Sequence, residues 1–285
     1  MASMRDIKRR RSSIQGTQQI TKAMKLVSTV KLQRARAAAE KSQYYFDSMY
    51  RTVGSILSRV GHIEHRYLTH GDSERKAVVV ITSNRGLAGG YNSNVVKLIT
   101  RNDALKKEDL DVYTIGNKGR EVFARHGYTI REDLPDIIED PLYSEVNELT
   151  ARLLKSYENG EVGEIYLAYT FFKNTVSQEP RLLKLLPVEP LDQDGDGFVD
   201  SVMNFEPEDV EAIDMIIPKY ISSLIYGGLK EAIASENGAR MQAMDNATSN
   251  AEEMIDKLSL QYNRARQGSI TQELTEIIAG SEAIG

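Results

Sequence analysis

Residues 239–258 read ARMQAMDNATSNAEEMIDKL, and this stretch decides how the chain is organised. Its composition predicts a helix, yet its apolar positions hold Met, Ala and Thr more often than Leu or Ile. These residues recur with the 3.5-residue spacing of a coiled coil. The spacing gives two interleaved series of seam positions, one at Met244, Ala251, Leu258 and Ala265, the other at Met241, Thr248, Ile255 and Tyr262. The stretch therefore predicts a helix that pairs with one other helix.

The first part of the chain predicts the partner helix. From residue 3 to about residue 59 the pattern is helical, and Ser3 with Asp6 suits an N-terminal cap. Every seventh position is small or apolar, at Ile7, Ile14, Thr21, Ser28 and Ala35. Gly54 and Gly61 weaken the pattern towards its end. A continuous helix of this extent would be roughly 85 Å long.

A second long helix is predicted from Glu206-Pro207 to about Ala279, with proline at its first position and acids in its first turn. Gly280 is the expected stop, and Pro218 is expected to kink or interrupt the helix early. This extent corresponds to roughly 110 Å. Two long terminal helices favour a long antiparallel coiled coil with a compact domain at one end.

The middle of the chain alternates strands with helices. Strands are predicted at KAVVVIT, DVYTIG, EIYLAYTFF and RLLKLLP, which cover residues 76–82, 111–116, 164–172 and 181–187. Helices are predicted over residues 93–105, 119–126 and 144–157. This alternation favours a Rossmann-like α/β domain with a mainly parallel sheet and one antiparallel strand. We therefore expect a coiled-coil helix at 1–60, an α/β domain at 74–200 and a second coiled-coil helix at 207–285.

The composition excludes several classes of protein. The 285 residues carry a net charge of −5 and no cysteine, which excludes disulfides, thiolate metal sites and thiol switches. The longest uncharged apolar run, residues 77–81, is far shorter than the ~20 residues of a membrane-spanning helix. If a membrane matters to this protein, it does so through a partner.

An acidic loop resembles the start of an EF-hand. Asp192, Asp194 and Asp196 have the ligand spacing, and Gly197 follows them. The position that needs a bidentate glutamate holds Met203, and PVEP precedes the loop in place of a helix. A solvated acidic turn is therefore the preferred interpretation, with calcium binding as the alternative.

A glycine-rich turn, GLAGG at residues 86–90, follows the first predicted strand and precedes a helix. Phosphate-binding loops occupy this position, but the spacing is neither GxGxxG nor the Walker A pattern. A tight turn with close packing explains the glycines as well. We prefer that structural interpretation to a nucleotide site.

The N-terminal arm is strongly basic. Before residue 40 it carries one acid, Asp6, against ten Lys and Arg side chains. Such a helix could follow nucleic-acid phosphates, lie solvated, or form an electrostatic track that meets acidic loops of a protein partner. No aromatic residue interleaves the charges and the whole chain is acidic, so a nucleic-acid-binding coiled coil is kept only as the alternative function.

The chain shows no obvious catalytic constellation. The four histidines, His62, His65, His70 and His126, lie in polar, mobile-looking positions, and the first three suit a linker better than a metal site. Neither a Ser-His-Asp context nor paired carboxylates at strand ends stand out. The sequence therefore gives no reason to expect this chain to be an enzyme by itself.

Three parts of the chain resemble the γ subunit family of the F-type, proton-translocating ATP synthase, in its bacterial type. They are IKRRRSSIQGTQQITKAMKLVSTVKL at residues 7–32, SNRGLAGGYN at 83–92, and ARMQAMDNATSNAEEMIDKL with YNRARQGSITQELTEIIAG at 239–258 and 262–280. The resemblance thus spans essentially the full chain. Ala88 stands where some relatives carry cysteine, and the cysteine-bearing insert of the chloroplast type is missing, which implies that redox control is absent.

The resemblance implies a non-catalytic central-stalk rotor. The terminal helices would form a shaft inside a ring of three α and three β subunits, whose interfaces hold ATP or ADP with Mg. The α/β domain would face the ε subunit and the membrane ring of c subunits. This chain would itself bind no cofactor and no nucleic acid. The complex would lie at the cytoplasmic face of a cell membrane, with an organellar setting less favoured.

The resemblance also assigns residues to contacts. Those that would engage a β subunit are Lys22, Met24, Lys25, Arg266 and Gln267. Those that would sit in an apolar collar near the top of the ring are Ile277, Ile278 and Ile284. These roles come from the family and not from the spacing of the residues.

Overall fold

A computed structural model describes residues 4–60, 65–71, 73–188 and 209–282. The contacts between residues divide the chain into two compact units. One is made of Met1–Ser28 with Arg240–Gly285, and the other of Thr29–Ala239. Helices α1 (Met4–Val60) and α5 (Asp209–Glu282) each contribute to both units. The predicted division at 1–60, 74–200 and 207–285 stays a prediction.

The second unit contains an alternation of strands and helices. Its strands are β1 (Lys76–Ile81), β2 (Leu110–Ile115), β3 (Thr129–Asp133), β4 (Glu164–Phe172) and β5 (Gln178–Leu186). Its shorter helices are α2 (Tyr91–Thr100), α3 (Asn117–Arg125) and α4 (Tyr143–Glu158). Two short 3₁₀ turns lie at Lys107–Asp109 and Asp136–Ile138.

The five strands form one sheet in the order β3-β2-β1-β4-β5. All neighbours are parallel except β5, which runs antiparallel to β4. This confirms the predicted α/β class with a mainly parallel sheet and one antiparallel strand. Strand β5 begins at Gln178, earlier than predicted, and includes Pro180. Proline fits there because β5 is an edge strand, where a missing N–H costs no ladder bond.

Strand β3, with the sequence TIRED, was not predicted. Three of its residues are charged, which hides the apolar alternation of a strand. At the sheet edge those charges are paired: Arg131 with Asp111 at 2.9 Å, Glu132 with Arg152 at 2.7 Å, and Asp133 with Arg120 at 3.2 Å. Ion pairing to neighbouring elements therefore permits a charged strand that propensity disfavours.

The sheet is buried on both faces. On β1, Val79 and Ile81 face a core shared with α4 and α5, while Val78 and Val80 face a core shared with α2 and α3. All four side chains are fully buried. A parallel strand covered on both faces needs a continuous apolar run, which explains why the VVVI of β1 shows no alternation.

Helix α5 differs from its prediction at Pro218 and at Gly280. It runs through Pro218 without interruption and continues past Gly280 to Glu282. Proline removes one helical N–H, but the surrounding turns bury Ile217 and Ile221 completely against the sheet. This burial holds the helix together where propensity alone would break it. The predicted start at Glu206-Pro207 lies outside the described residues.

Helix α1 continues through a glycine that was expected to weaken it. It continues through Gly54, which is buried, and ends at Val60. Glycine in a helix interior costs about 1 kcal/mol relative to alanine, which neighbouring packing such as that of fully buried Val53 can offset. Gly61 lies outside the described residues.

The buried carboxylate of Glu164 links three strands at the end of the sheet where β1 and β4 begin. Glu164 accepts bonds from Lys76 at 2.7 Å, Lys184 at 3.0 Å and Tyr166 at 3.0 Å. Burial alone would raise the pKa of Glu164, but these three donors outweigh it and lower the pKa to about 2. This set of bonds is a clamp that joins β1, β4 and β5 at one point.

A second carboxyl group lies where α5 packs on the sheet. Gly228, Glu231 and Ser235 recur on one side of α5. A Cβ at Gly228 would lie 3.0 Å from Leu167 of β4, and the Ser235 hydroxyl donates to the Thr170 carbonyl at 3.0 Å. Oε2 of Glu231 is buried and, within the described part of the chain, has no hydrogen-bond partner. Burial raises the pKa of Glu231 to about 7, although the charge of Arg181 opposes the shift. Between pH 4.5 and about 7, folded Glu231 therefore retains a proton that an unfolded chain would release.

We predict that Glu164→Gln destabilises the protein at neutral pH. Because the folded pKa lies below the ordinary value of 4.5, the clamp's contribution is full above that value and is lost as pH falls towards about 2. Urea unfolding should show a loss of about 2–3 kcal/mol near pH 7 that shrinks below pH ~4. Glu148→Gln, on the exposed side of α4, is the matched control. A loss that is independent of pH would contradict the prediction.

We predict the opposite sign for Glu231→Gln. Between pH 4.5 and about 7 the parent loses stability as pH rises, because only the folded chain retains the proton. Glutamine cannot ionise, so the variant should gain about 2 kcal/mol over the parent on moving from about pH 5 to about pH 8. Glu253→Gln, at an exposed site of α5, is the control and should show no such gain in stability over the parent. Parallel pH profiles for the parent and Glu231→Gln would refute this assignment.

Candidate functional site

The glycine-rich turn lies at the crevice where α/β proteins of this topology bind nucleotides. Strand β1 ends at Ile81, the turn follows, and α2 begins at Tyr91. From β1 the sheet continues to β2 on one side and to β4 on the other. Ligands of open parallel sheets bind outside the carboxyl ends of strands at such a reversal.

In this protein α5 occupies that position. The Tyr91 hydroxyl donates to the carbonyl of Ala232 at 3.1 Å. Ser235 bonds β4 through the Thr170 carbonyl, and Gly238 lies close to the ring of Phe172. The chain's own helix therefore contacts both sides of the crevice, which supports the structural interpretation of the turn.

The polar groups of the turn are also used internally. The Ser83 N–H donates to Asn92 Oδ1 at 2.9 Å, and the Asn117 N–H donates to Asn84 Oδ1 at 3.0 Å. Leu87 has a φ of 63°, a backbone conformation uncommon for a leucine, and its side chain is exposed. These bonds hold the residues that flank the turn in place.

One strict glycine requirement lies directly after β2, at a position that the sequence did not single out. Gly116 has a φ of 100°, and a Cβ there would lie 2.1 Å from the carbonyl oxygen of Thr82. Nothing lies within 4 Å of such a Cβ at Gly86. The close approach between the loops after β1 and β2 therefore depends on Gly116, which carried no sequence motif.

In the first unit, the ends of α1 and α5 pair with each other in opposite directions. Thr21 bonds Thr248 at 2.8 Å and Lys25 bonds Asp245 at 2.6 Å. Towards the start of α1, Gln18 donates to Glu252 at 3.0 Å. Residue numbers rise along one helix as they fall along the other, so the pair is antiparallel, as predicted.

The seam of this pair is narrow. Met244, Thr248 and Ala251 are buried on α5, and Ile7, Thr21 and Ser28 are buried on α1. The remaining predicted seam positions on α5 are half-buried: Met241, Ile255, Leu258, Tyr262 and Ala265. Over Met241–Tyr262, the positions predicted for the seam are thus shielded from solvent to different degrees.

The predicted contact residues that the structure describes are exposed to different degrees. Lys22, Arg266 and Gln267 are exposed, while Met24 and Lys25 are half-buried. Beyond the seam, Ile277 and Ile278 are 67% and 58% exposed. Ile284 lies outside the described residues. The contact roles of all these residues stay predictions.

Several large apolar side chains are exposed although the sequence reasoning gave them no role. On α1 these are Ile20, Leu26, Val27 and Val30, and on α5 they are Met254, Leu260, Ile270 and Leu274. For the four residues on α1, the sequence did hold a clue to their exposure, because none of them falls on the seven-residue repeat of that helix. Exposed apolar side chains are typical of protein contacts only where they form a continuous patch.

The histidine prediction is wrong for His65. Its side chain is buried; Nδ1 accepts the Tyr67 N–H at 3.2 Å, and Nε2 lies 3.3 Å from Asp214 Oδ1. Arg66 bonds the same carboxylate at 2.8 Å. The Tyr67 hydroxyl donates to Glu158, and burial together with this bond raises the pKa of Tyr67. Residues 65–67 are therefore held to α4 and α5 by hydrogen bonds and ion pairs.

The other metal and histidine predictions can be placed only in part. His126 is exposed, His70 lies 3.7 Å from Glu164, and His62 falls outside the described residues. Within residues 4–60, 65–71, 73–188 and 209–282 no group of acids and histidines is arranged to hold a metal ion. The loop from Asp192 to Asp196, with Met203, lies outside them. No described helix is both long and apolar enough to cross a membrane.

Comparisons with known proteins agree with the paired-helix architecture. Solved structures that resemble this chain include a Euglena gracilis mitochondrial ATP synthase described as OSCP/F1/c-ring, with a TM-score of 0.69 at 17% identity over 99% of this chain and 94% of that chain. A Tetrahymena thermophila mitochondrial ATP synthase, described as central stalk/c-ring, gives 0.62 at 23% identity over 80% and 99%. At these identities the similarity establishes the fold.

Sequence comparison establishes the family. The family model described as ATP synthase matches residues 3–284. The ATP synthase gamma chain of Lachnoclostridium phytofermentans is 60% identical over 100% of both chains. The sodium-ion-specific gamma chain of Acetobacterium woodii is 39% identical over 99% of both. A gamma chain is a non-catalytic subunit, in agreement with the predicted lack of enzymatic activity. This chain belongs to the ATP synthase gamma chain family.

Proposed function

We propose that this chain turns as the central stalk of an ATP synthase and couples proton flow through the membrane sector to ATP synthesis or hydrolysis. The observation that carries the proposal is the antiparallel pair of terminal helices, whose seam is narrow and whose outer surface is largely exposed. Three α and three β subunits would surround this pair. The α/β unit would meet the ε subunit and the ring of c subunits.

The surface chemistry suits a shaft that must not lock in one orientation. Coupling to each β subunit can only be a difference in contact free energy between β conformations. Basic side chains such as Lys22 attract acidic loops across water without a rigid fit. Exposed Ile20 and Val27 supply apolar contact on the same helix. An asymmetric pair of helices thus presents a different surface to each of three identical neighbours.

We assign the partner contacts by the same reasoning. Lys22, Met24 and Lys25 on α1 would meet one β-subunit element, and Arg266 and Gln267 on α5 another. The exposed end of α5, which includes Ile277 and Ile278, would turn in an apolar collar together with Ile284. Apolar contact without hydrogen bonds is non-directional, so it tolerates rotation.

Nucleotide and Mg would bind in the α and β subunits, with no cofactor on this chain. The crevice that could have accepted a nucleotide is in contact with α5. We place the chain at the cytoplasmic face of the cell membrane, attached through the complex alone.

No observation on the described residues favours the nucleic-acid alternative. Part of the basic arm is engaged within the chain: Arg9 pairs with Asp6 at 3.5 Å, Lys25 with Asp245, and the Arg11 guanidinium lies 5.7 Å from the centre of the Tyr262 ring.

Reconstitution tests the proposed function. We expect this chain alone to show no ATPase activity, and we expect α and β subunits to respond to inhibitors of the membrane sector only when the chain is present. The measurement is ATP hydrolysis with purified subunits and membrane sector, with and without the chain. A fully active, inhibitor-responsive complex assembled without it would refute the proposal.

A charge exchange tests whether Lys25 acts on a partner or only within the chain. We expect Lys25→Glu to slow ATP hydrolysis by the reconstituted complex about fivefold, the effect of roughly 1 kcal/mol in contact free energy. The double variant Lys25→Glu/Asp245→Lys re-forms the pair between α1 and α5 with its polarity reversed. If Lys25 contacts a β subunit, this double variant stays slow. Recovery of the parental rate would show that Lys25 acts only within the chain; Asp245→Lys alone is the control.

A further inference from the structure

An open cavity of about 640 Å³ lies between α4 and α5, within the unit that contains the sheet. Cavities of this volume hold small molecules in other proteins. Ala151 and Leu154 of α4 and the ring of Pro218 on α5 supply its apolar walls. The lining also contains five polar side chains that make no hydrogen bond or ion pair within the described part of the chain, namely Asn147, Lys155, Asn159, Lys219 and Ser222.

One of these five is a buried hydroxyl group. Ser222 is 3% exposed, and its side chain reaches the cavity without bonding any described residue. The next residue, Ser223, is 2% exposed, and its hydroxyl donates to the carbonyl of Lys219 at 2.7 Å, a bond that serine commonly makes within a helix. Because a buried polar group without a partner costs free energy, the Ser222 hydroxyl indicates a ligand that would accept its proton.

Two uncompensated positive charges lie at the same cavity. Lys155 and Lys219 are exposed, come from different helices, and have no ion-pair partner among the described residues. The carboxylate of the lining, Glu158, is already engaged, because it accepts the Tyr67 hydroxyl and lies 3.4 Å from the guanidinium of Arg66. The charge of the cavity therefore favours an anion, and two lysines match a ligand with two negative charges.

We propose that the cavity between α4 and α5 binds a small soluble molecule that carries a phosphate monoester group. The phosphate, which is largely a dianion at pH 7 and has three acceptor oxygens, would lie between Lys155 and Lys219 and accept the proton of Ser222. The amides of Asn147 and Asn159 can donate to its other oxygens. The organic part would lie against the apolar walls. Binding here is independent of the proposed function, because the whole lining comes from this chain.

A fluorine label can report binding at the cavity itself, apart from any attraction of anions to the basic start of α1. The chain has no cysteine, so Ser144→Cys provides a single site for a trifluoromethyl label. Ser144 is exposed on α4, about one turn from Asn147 and outside the lining. Phenyl phosphate is titrated into the labelled full-length chain at constant ionic strength. We expect a saturable shift of the fluorine NMR signal, with a Kd of about 1 mM or below.

The two neighbouring serines provide a matched pair of variants. Ser222→Ala should weaken the binding of phenyl phosphate about tenfold, the effect of losing one hydrogen bond to a charged group. Ser223→Ala should leave the Kd unchanged, because that hydroxyl is used within α5. In the absence of ligand, Ser222→Ala should not lower the Tm, since its hydroxyl has no bond to lose. A lower Tm would show that Ser222 already serves the fold and would contradict the proposal.

The lysines have a control with the same change in net charge. Lys155→Gln/Lys219→Gln should weaken binding by about tenfold or more. Lys97→Gln/Lys106→Gln, at exposed positions away from the cavity, should not change the Kd. Equal affinity in the parent and in Lys155→Gln/Lys219→Gln would overturn the site, as would the absence of a saturable shift in the parent.

Related ligands test the chemical class. Phenol lacks the phosphate and should give no saturable shift, and benzoate, with one charge, should bind at least about tenfold more weakly than phenyl phosphate. Equal binding of either would overturn the assignment to a phosphate. Vesicles with phosphatidic acid present the same group on a lipid, and we expect the parent and the variant without both lysines to sediment with them equally. Weaker sedimentation of that variant would overturn the assignment to a soluble molecule in favour of a lipid headgroup.

Discussion

The burial of one face of α5 against the sheet is the interaction on which the rest of the structure depends. Ile213, Ile217, Ile221, Ile225 and Leu229 are all fully buried and recur at helical spacing. Burying five such side chains stabilises the protein by roughly 8–15 kcal/mol before the entropy of ordering is counted. That gain explains how the helix tolerates Pro218 and a carboxyl group, Glu231, with an unpartnered oxygen.

The same helix buries fewer large apolar side chains beyond the unit that contains the sheet. Beyond Arg240 its buried positions are Met244, Thr248 and Ala251, and the residues around them are largely exposed. Less burial means that apolar packing contributes less to choosing one arrangement, so hydrogen bonds and ion pairs across the seam matter more. A helix pair built in this way can leave most of its outer surface for other proteins, which suits a member of a family of stalk subunits.

Sequence patterns predicted the elements whose signal is local and missed those that depend on tertiary contacts. The continuous apolar run of β1 and the seven-residue repeat ending at Tyr262 both identified their elements correctly. Strand β3 was missed because its charges are offset by partners on other elements, and His65 because its burial depends on Asp214, far away in the chain. The contact residues of the candidate site could be named only through the family, since spacing does not reveal which exposed side chains meet a partner.

The sheet of this protein shows that the same topology can serve different functions. Its strand order and the position of its glycine-rich turn match those of nucleotide-binding α/β proteins. A nucleotide site also needs an open crevice, and here α5 reaches the crevice: its Ala232 carbonyl accepts a bond from Tyr91, and its Ser235 hydroxyl donates to β4. The topology that elsewhere holds a ligand thus holds a helix. Anchoring that helix, rather than binding a nucleotide, is the function that the geometry of this crevice supports.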